Sequence, residues 1–128
     1  MAVQLDTIGI VVTDMGKSLA FYRLAGLTIP EGQDEESNVE VRTDSGVTLG
    51  FLTEATAKQA EPRWQTPVGQ RMNLQFQCGS PAEVDTTHAR LIEAGYSSYT
   101  DPWDAYWGQR FARVQDPDGN IVNFFSEL

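Results

Sequence analysis

Asp116-Pro117-Asp118-Gly119-Asn120 separates two apolar-rich runs, Trp103-Asp-Ala-Tyr-Trp-Gly-Gln-Arg-Phe-Ala-Arg-Val-Gln115 and Ile121-Val-Asn-Phe-Phe-Ser-Glu-Leu128. Pro117 presets φ for the first turn position, and Gly119 accepts the positive φ that follows. Apolar-rich runs joined by such a turn predict a β-hairpin. Ahead of the hairpin comes a segment crowded with rings: Tyr96, Tyr99, Trp103, Tyr106 and Trp107. It reads as a strand near residues 96–100 followed by an aromatic loop.

The closing strand has a counterpart earlier in the chain. Gly119-Asn-Ile-Val-Asn-Phe-Phe-Ser-Glu127 matches Gly46-Val-Thr-Leu-Gly-Phe-Leu-Thr-Glu54 at an offset of 73. Two helices repeat as well. Thr13-Asp14 offers an N-cap to a helix from Met15 to Ala25, and Gly26 follows as a C′ residue. Ser80-Pro81-Ala82-Glu83 starts a second helix with a capping box and Pro at N1. That helix runs to Ala94, and Gly95 closes it. The two glycines are 95 − 26 = 69 residues apart, so the offsets differ by 73 − 69 = 4, a modest change of loop length.

Strands are predicted over residues 3–12, 28–30, 38–42, 47–53 and 72–78 from β-branched content and alternation. Residues 54–71 lack periodicity, contain two prolines and read as a long connection. The expected architecture is α+β: two tandem βαβββ modules, about 1–55 and 70–128, joined by a linker at 56–69 within one domain. In each module a helix covers one face of a curved antiparallel sheet, leaving the other face to form a concave cavity.

Composition narrows the function. Nine basic against eighteen acidic residues give 9 − 18 = −9, which argues against a nucleic-acid partner. No apolar run approaches the ~20 residues of a membrane span, and no secretory leader is recognisable at the N-terminus. The single cysteine, Cys78, forms no intramolecular disulfide, which fits a reducing cytoplasm.

Two βαβββ modules, Phe21-Tyr22 on the first helix and the Asp-Pro-Asp-Gly-Asn hairpin together resemble the vicinal oxygen chelate superfamily, which includes glyoxalase I, extradiol dioxygenases, fosfomycin-resistance enzymes and bleomycin-resistance proteins. The stretch Pro102-Trp103-Asp104-Ala105-Tyr106-Trp107-Gly108-Gln109-Arg110-Phe111-Ala112 is similar to the small mitomycin-binding resistance proteins. That resemblance implies a metal-free homodimer that holds an antibiotic in crevices built from both chains.

The superfamily's enzymes hold a divalent ion with His and Glu side chains from the first and last strand of each module. Carried over by resemblance, those positions fall on Thr7, Gly50, Asn73 and Asn123. Borderline divalent metals need deprotonated N, O or S donors, and none of the four supplies one. No metal and no other cofactor is therefore expected.

Outside this set, His88 reads as a helix-boundary residue, Cys78 and the Phe21-Tyr22 pair as core, and Trp64 as a ligand or dimer contact. Alternation places Gln109, Phe111 and Arg113 on the cavity side, after Trp107. Asn123 and Phe125 follow on the last strand, with Asn73, Gln75, Thr7 and Glu40 facing the same way, and Trp103 and Tyr106 stand at the rim. Ring stacking contributes ~0.5–1.5 kcal/mol per pair beyond area burial, and neutral amides read carbonyl or amide oxygens. The expected function is binding without chemistry: sequestration of a planar aromatic antibiotic, such as a quinone or anthraquinone, for self-resistance. Two rivals stay open. One is a metal-dependent lyase or dioxygenase, should the register be wrong. The other is a metal-free enzyme or flavin-like carrier using Arg113 or Glu40.

Overall fold

A computed structural model describes residues 2–128. The elements run β1 (Thr7–Val12), α1 (Met15–Ala25), β2 (Asn38–Arg42), β3 (Thr48–Thr53), α2 (Glu54–Ala60), β4 (Leu74–Gln77), α3 (Pro81–Glu93), β5 (Ser98–Ala105), β6 (Gln109–Gln115) and β7 (Ile121–Glu127). They divide into two compact units, Met1–Pro67 and Val68–Leu128.

The first unit is a three-stranded sheet, β1-β3-β2, with α1 packed against β3. Asp14 caps α1 by accepting from the Lys17 amide at 2.9 Å, and Gly26 closes it at φ +124°. Leu19, Phe21 and Tyr22 are fully buried, Phe21 and Tyr22 meet edge to face, and the Tyr22 ring lies 5.2 Å from Phe51. The Phe21-Tyr22 pair is core, as the sequence suggested.

Two expectations fail in this unit. Thr28–Pro30 does not join the sheet. Pro30 has no N–H to donate to a ladder, and the carbonyls of Ile29 and Pro30 accept from the Arg23 guanidinium at 2.9 and 2.7 Å. Three of the module's four expected strands therefore make up this sheet. Residues 54–60, read as part of the connection, form α2. Thr53 caps it through the Thr56 amide, and Lys58 pairs with Glu54 at 2.9 Å, one turn apart.

The second unit is a full βαβββ with strand order β4-β7-β6-β5. Ser80 accepts from the Glu83 amide as the capping box requires, but the Glu83 carboxylate reaches back to the Gly79 amide at 2.7 Å rather than to Ser80. Helix α3 lies over β5, β6 and β7. Its buried Val84 and Leu91 face a sheet side built from Ala112, Val114, Val122 and Phe124. The hairpin closes as read. Asp116 accepts from the Asp118 and Asn120 amides and from the Asn120 side chain at 2.8–2.9 Å, and Gly119 has φ +84°.

The sheets are mixed rather than antiparallel throughout. In each, the first strand runs parallel to the last: β1 to β3 with Gly9 opposite Gly50, and β4 to β7 with Gln75 opposite Asn123. A helical crossover between first and last strand produces this parallel pairing. The equivalent pairs lie at offsets 75 − 9 = 66 and 123 − 50 = 73, so the repeat in the sequence corresponds to a repeat in pairing.

Candidate functional site: an aromatic face with one unpaired cation

Strand β6 sorts its residues cleanly between two faces. Arg110, Ala112 and Val114 point to the α3 side. There the Arg110 guanidinium takes both oxygens of Asp85, at 2.9 and 3.2 Å, and Asp104 at 3.1 Å. Gln109, Phe111 and Arg113 lie on the opposite face. Cross-strand pairing adds neighbours to that face: Trp103 opposite Phe111, Phe125 opposite Phe111, Asn123 opposite Arg113, Gln75 opposite Asn123 and Thr100 opposite Arg113.

A bulged edge strand makes this possible. Residues 100 and 103 are an odd number apart and would point to opposite sides of a regular strand. Register shifts on β5, between Ser98 and Thr100 and between Thr100 and Trp103, bring both to the Arg113 side. Pro102 sits in the second shift, on an edge strand, where a missing N–H is tolerated. Trp103 therefore belongs to a strand and not to the predicted aromatic loop, which shrinks to the turn Tyr106-Trp107-Gly108.

Phe111, 4% exposed, is the hub of the rings. Trp103 and Trp107 meet it edge to face at 5.6 and 5.3 Å and meet each other at 5.7 Å. Tyr106 is 96% exposed and abuts only the outer side of this cluster, 5.0 Å from Trp107. The Trp107 indole N–H donates to Gln109 Oε1 at 2.8 Å, and Gln109 Nε2 donates to Glu127 at 2.9 Å. Both ends of the Gln109 amide are thus engaged in fixing the indole, which leaves Trp107 43% exposed. The guanidinium of Arg113 lies 5.0 Å from the Phe111 centroid and 5.6 Å from that of Trp103, within cation–π range. Asn123 is 5% exposed, and its Oδ1 is buried without a hydrogen-bond partner. An unsatisfied buried acceptor costs about 1–3 kcal/mol.

Of the remaining predicted residues, Gln75 is exposed within β4 beside Asn123 on this same face, and Asn73 is exposed just outside β4. Thr7 and Glu40 belong to the first unit. Glu40 is exposed on β2, opposite Gly50, and the Thr7 hydroxyl donates to Asp6. Trp64 also lies in the first unit; its indole N–H is buried without a partner. Thr100 was not singled out from sequence, because the bulge that turns it toward Arg113 leaves no pattern there beyond Pro102.

The residues at the superfamily's metal positions do not fit an ion. Their donors are a hydroxyl, two neutral amides and a glycine. A Cβ placed on Gly50 would meet the Thr7 methyl at 3.2 Å, so the Thr7 side chain already occupies the direction a ligand from position 50 would take. Among the described residues, no three His, Cys, Asp or Glu side chains converge to hold a metal.

Burial pushes the Cys78 thiol up despite a hydrogen bond from Thr87, which favours the protonated form over the thiolate. His88 faces β5 from α3, and its Nε2 lies 2.8 Å from Ser98 Oγ. Ser98 gives its one proton to Asp101 at 2.7 Å, so the hydroxyl accepts from His88 Nε2–H and the ring cannot act as its base. Burial lowers the His88 pKa below 6.5, with Asp101 and Asp85 opposing. The unfolded chain therefore binds this proton more readily, and the stability from neutral His88 is complete above pH 6.5 and falls as pH drops below it. Urea denaturation of wild type across that range should show this loss, and His88→Gln should flatten it.

Comparison with known proteins accords with this architecture. Residues 4–124 match the model of the Glyoxalase/Bleomycin resistance protein/Dioxygenase superfamily. A search of curated proteins finds no match. Among solved structures, a glyoxalase/bleomycin resistance protein/dioxygenase family enzyme from Burkholderia phytofirmans PsJN superposes with TM-score 0.83 at 22% identity, covering 98% of this chain and 100% of that one. Lactoylglutathione lyase from Agrobacterium tumefaciens gives 0.70 at 18% identity, with 96% and 92% covered. TioX from Micromonospora sp. ML1 gives 0.66 at 17%, with 98% and 100% covered. At these identities the structural likeness is one of fold, and membership rests on the family match over nearly the whole chain: this protein belongs to the Glyoxalase/Bleomycin resistance protein/Dioxygenase superfamily.

Proposed function

We propose that the chain is a binding protein that captures a planar aromatic natural product, of quinone or anthraquinone type, without metal and without chemistry on it. The superfamily's name spans dioxygenases and resistance proteins, so the site has to choose between catalysis and binding. The observation that carries the reading is the edge-to-face cluster of Trp103, Trp107 and Phe111, with the partly exposed Trp107 indole held in place by Gln109. Ring-on-ring contact favours flat aromatic guests. The substituted metal positions remove the usual route to lyase or dioxygenase chemistry. In a producing cell, stoichiometric capture in the cytoplasm would lower free drug by mass action and confer self-resistance. The similarity of Pro102–Ala112 to mitomycin-binding proteins supports a homodimer as the working form.

The test is calorimetric titration with a panel of quinone, quinoxaline and anthraquinone drugs, with light scattering on the same sample. Expected are saturable binding that survives EDTA, recovery of unaltered drug and a mass near twice 14.2 kDa. Chemically changed drug, or near-stoichiometric Zn, Ni, Mn or Fe in the purified protein, would move the assignment to an enzyme.

A further inference from the structure

The two arginines of β6 are treated in opposite ways. Arg110, on the helix side, is held by two carboxylates. Arg113, three residues on and on the aromatic face, has none. No carboxylate among the described residues lies within ion-pair distance of it, in a chain carrying eighteen of them. The nearby acids are committed elsewhere, Asp101 to Ser98 and Asp104 to Arg110. Of the five N–H donors on the Arg113 guanidinium, one is used, toward Thr100 Oγ1 at 3.3 Å. The rings of Phe111 and Trp103 steady the cation without neutralising it. Directly across the strand pair stands Asn123, with its buried, unpartnered Oδ1.

A half-buried guanidinium with free donors, on a residue paired across the strands with one whose buried acceptor has no partner, makes a two-point site. The first point takes an ionised oxygen and the second takes a hydroxyl or N–H. We infer that the aromatic ligand of this face is an acid: a flat ring system bearing a carboxylate or phenolate that pairs with Arg113, and next to it an O–H or N–H that donates to Asn123. This deepens, and rests on, the reading of the face as an aromatic-binding surface. Arginine suits the task because its planar fork stays charged, matches carboxylate geometry and tolerates ring contact.

Three probes separate the possibilities by calorimetry on the intact protein: 2-naphthoate, its neutral isostere 2-naphthamide, and 3-hydroxy-2-naphthoate. Wild type should bind 2-naphthoate at least tenfold more tightly than the amide, and the hydroxy acid more tightly still. The acid's advantage should shrink as salt is raised. Arg113→Met should erase the difference between acid and amide. Asn123→Asp, which supplies Arg113 with a counterion in place, should erase it too and guards against a folding defect in the first variant. Equal affinity of acid and amide for wild type would overturn the inference and leave the aromatic face standing. Binding of none of the three would overturn both.

Discussion

Replacing Phe124 by alanine is expected to cost about 3–5 kcal/mol of folding free energy, out of a total of about 5–15 for a domain of ordinary stability. Phe124 has no exposed surface and sits on β7, the strand flanked by β4 on one side and β6 on the other. Its ring lies 5.4 Å from Phe76, its cross-strand partner on β4. On β6 it faces Ala112, which is too small to fill a void. The α3 side of the sheet is closed by a capped helix, so collapse into the gap is restricted and the cavity term should be large. Urea denaturation followed by Trp fluorescence measures the loss. Phe124→Leu, which keeps most of the volume, should cost under about 1.5 kcal/mol. A loss below 1 kcal/mol for the alanine variant would mean that this layer is not the core of the second unit.

That layer follows from the alternation that puts Phe111, Arg113, Asn123 and Phe125 on one face, since Ala112, Val114, Val122 and Phe124 then fall on the other. Caps were legible for the same kind of reason. Asp14, Ser80 and Gly26 carry local chemistry that needs no tertiary partner. What failed was what lacked such a signal. Thr28–Pro30 has strand composition, but its carbonyls are claimed by Arg23, a residue on the preceding helix whose reach no periodicity reveals. Helix α2 is seven residues long with one buried side chain, Ala57, too little for an apolar stripe. Its Ala-rich composition, its Thr53 cap and the Glu54–Lys58 pair were the available clues.

The site was legible in part for a related reason. Alternation alone grouped Gln109, Phe111, Arg113, Asn123 and Phe125 on one face, because β6 and β7 pair without irregularity. It could not place Trp103 or Thr100, whose facing depends on two register shifts in β5. Nor could it tell that Gln109 is engaged at both ends while Asn123 Oδ1 is engaged at neither lone pair. Hydrogen-bond saturation is a property of three-dimensional neighbours, and here it divides two chemically equivalent amides into a clamp and an open acceptor.

Phe111→Ala should therefore damage two things at once, and the two can be measured apart. The ring is buried between Trp103 and Trp107 and carries the Arg113 cation on one face. Its removal should cost about 3 kcal/mol in stability. Losing two edge-to-face pairs, at about 0.5–1.5 kcal/mol each, should also let both indoles reorient. Affinity for a planar quinone should then fall by roughly fivefold or more, about 1 kcal/mol. Near-UV circular dichroism reports the indole geometry directly, since Trp103 and Trp107 are held 5.7 Å apart at right angles. It should weaken sharply while the far-UV spectrum of the helices and sheets is retained. Trp107→Phe, which keeps a ring but gives up the N–H to Gln109, should preserve stability and lose affinity more modestly. If Phe111→Ala bound the quinone as wild type does while its aromatic dichroism collapsed, the rings would be a structural cluster and ligand capture would have to take place on some other surface of the chain.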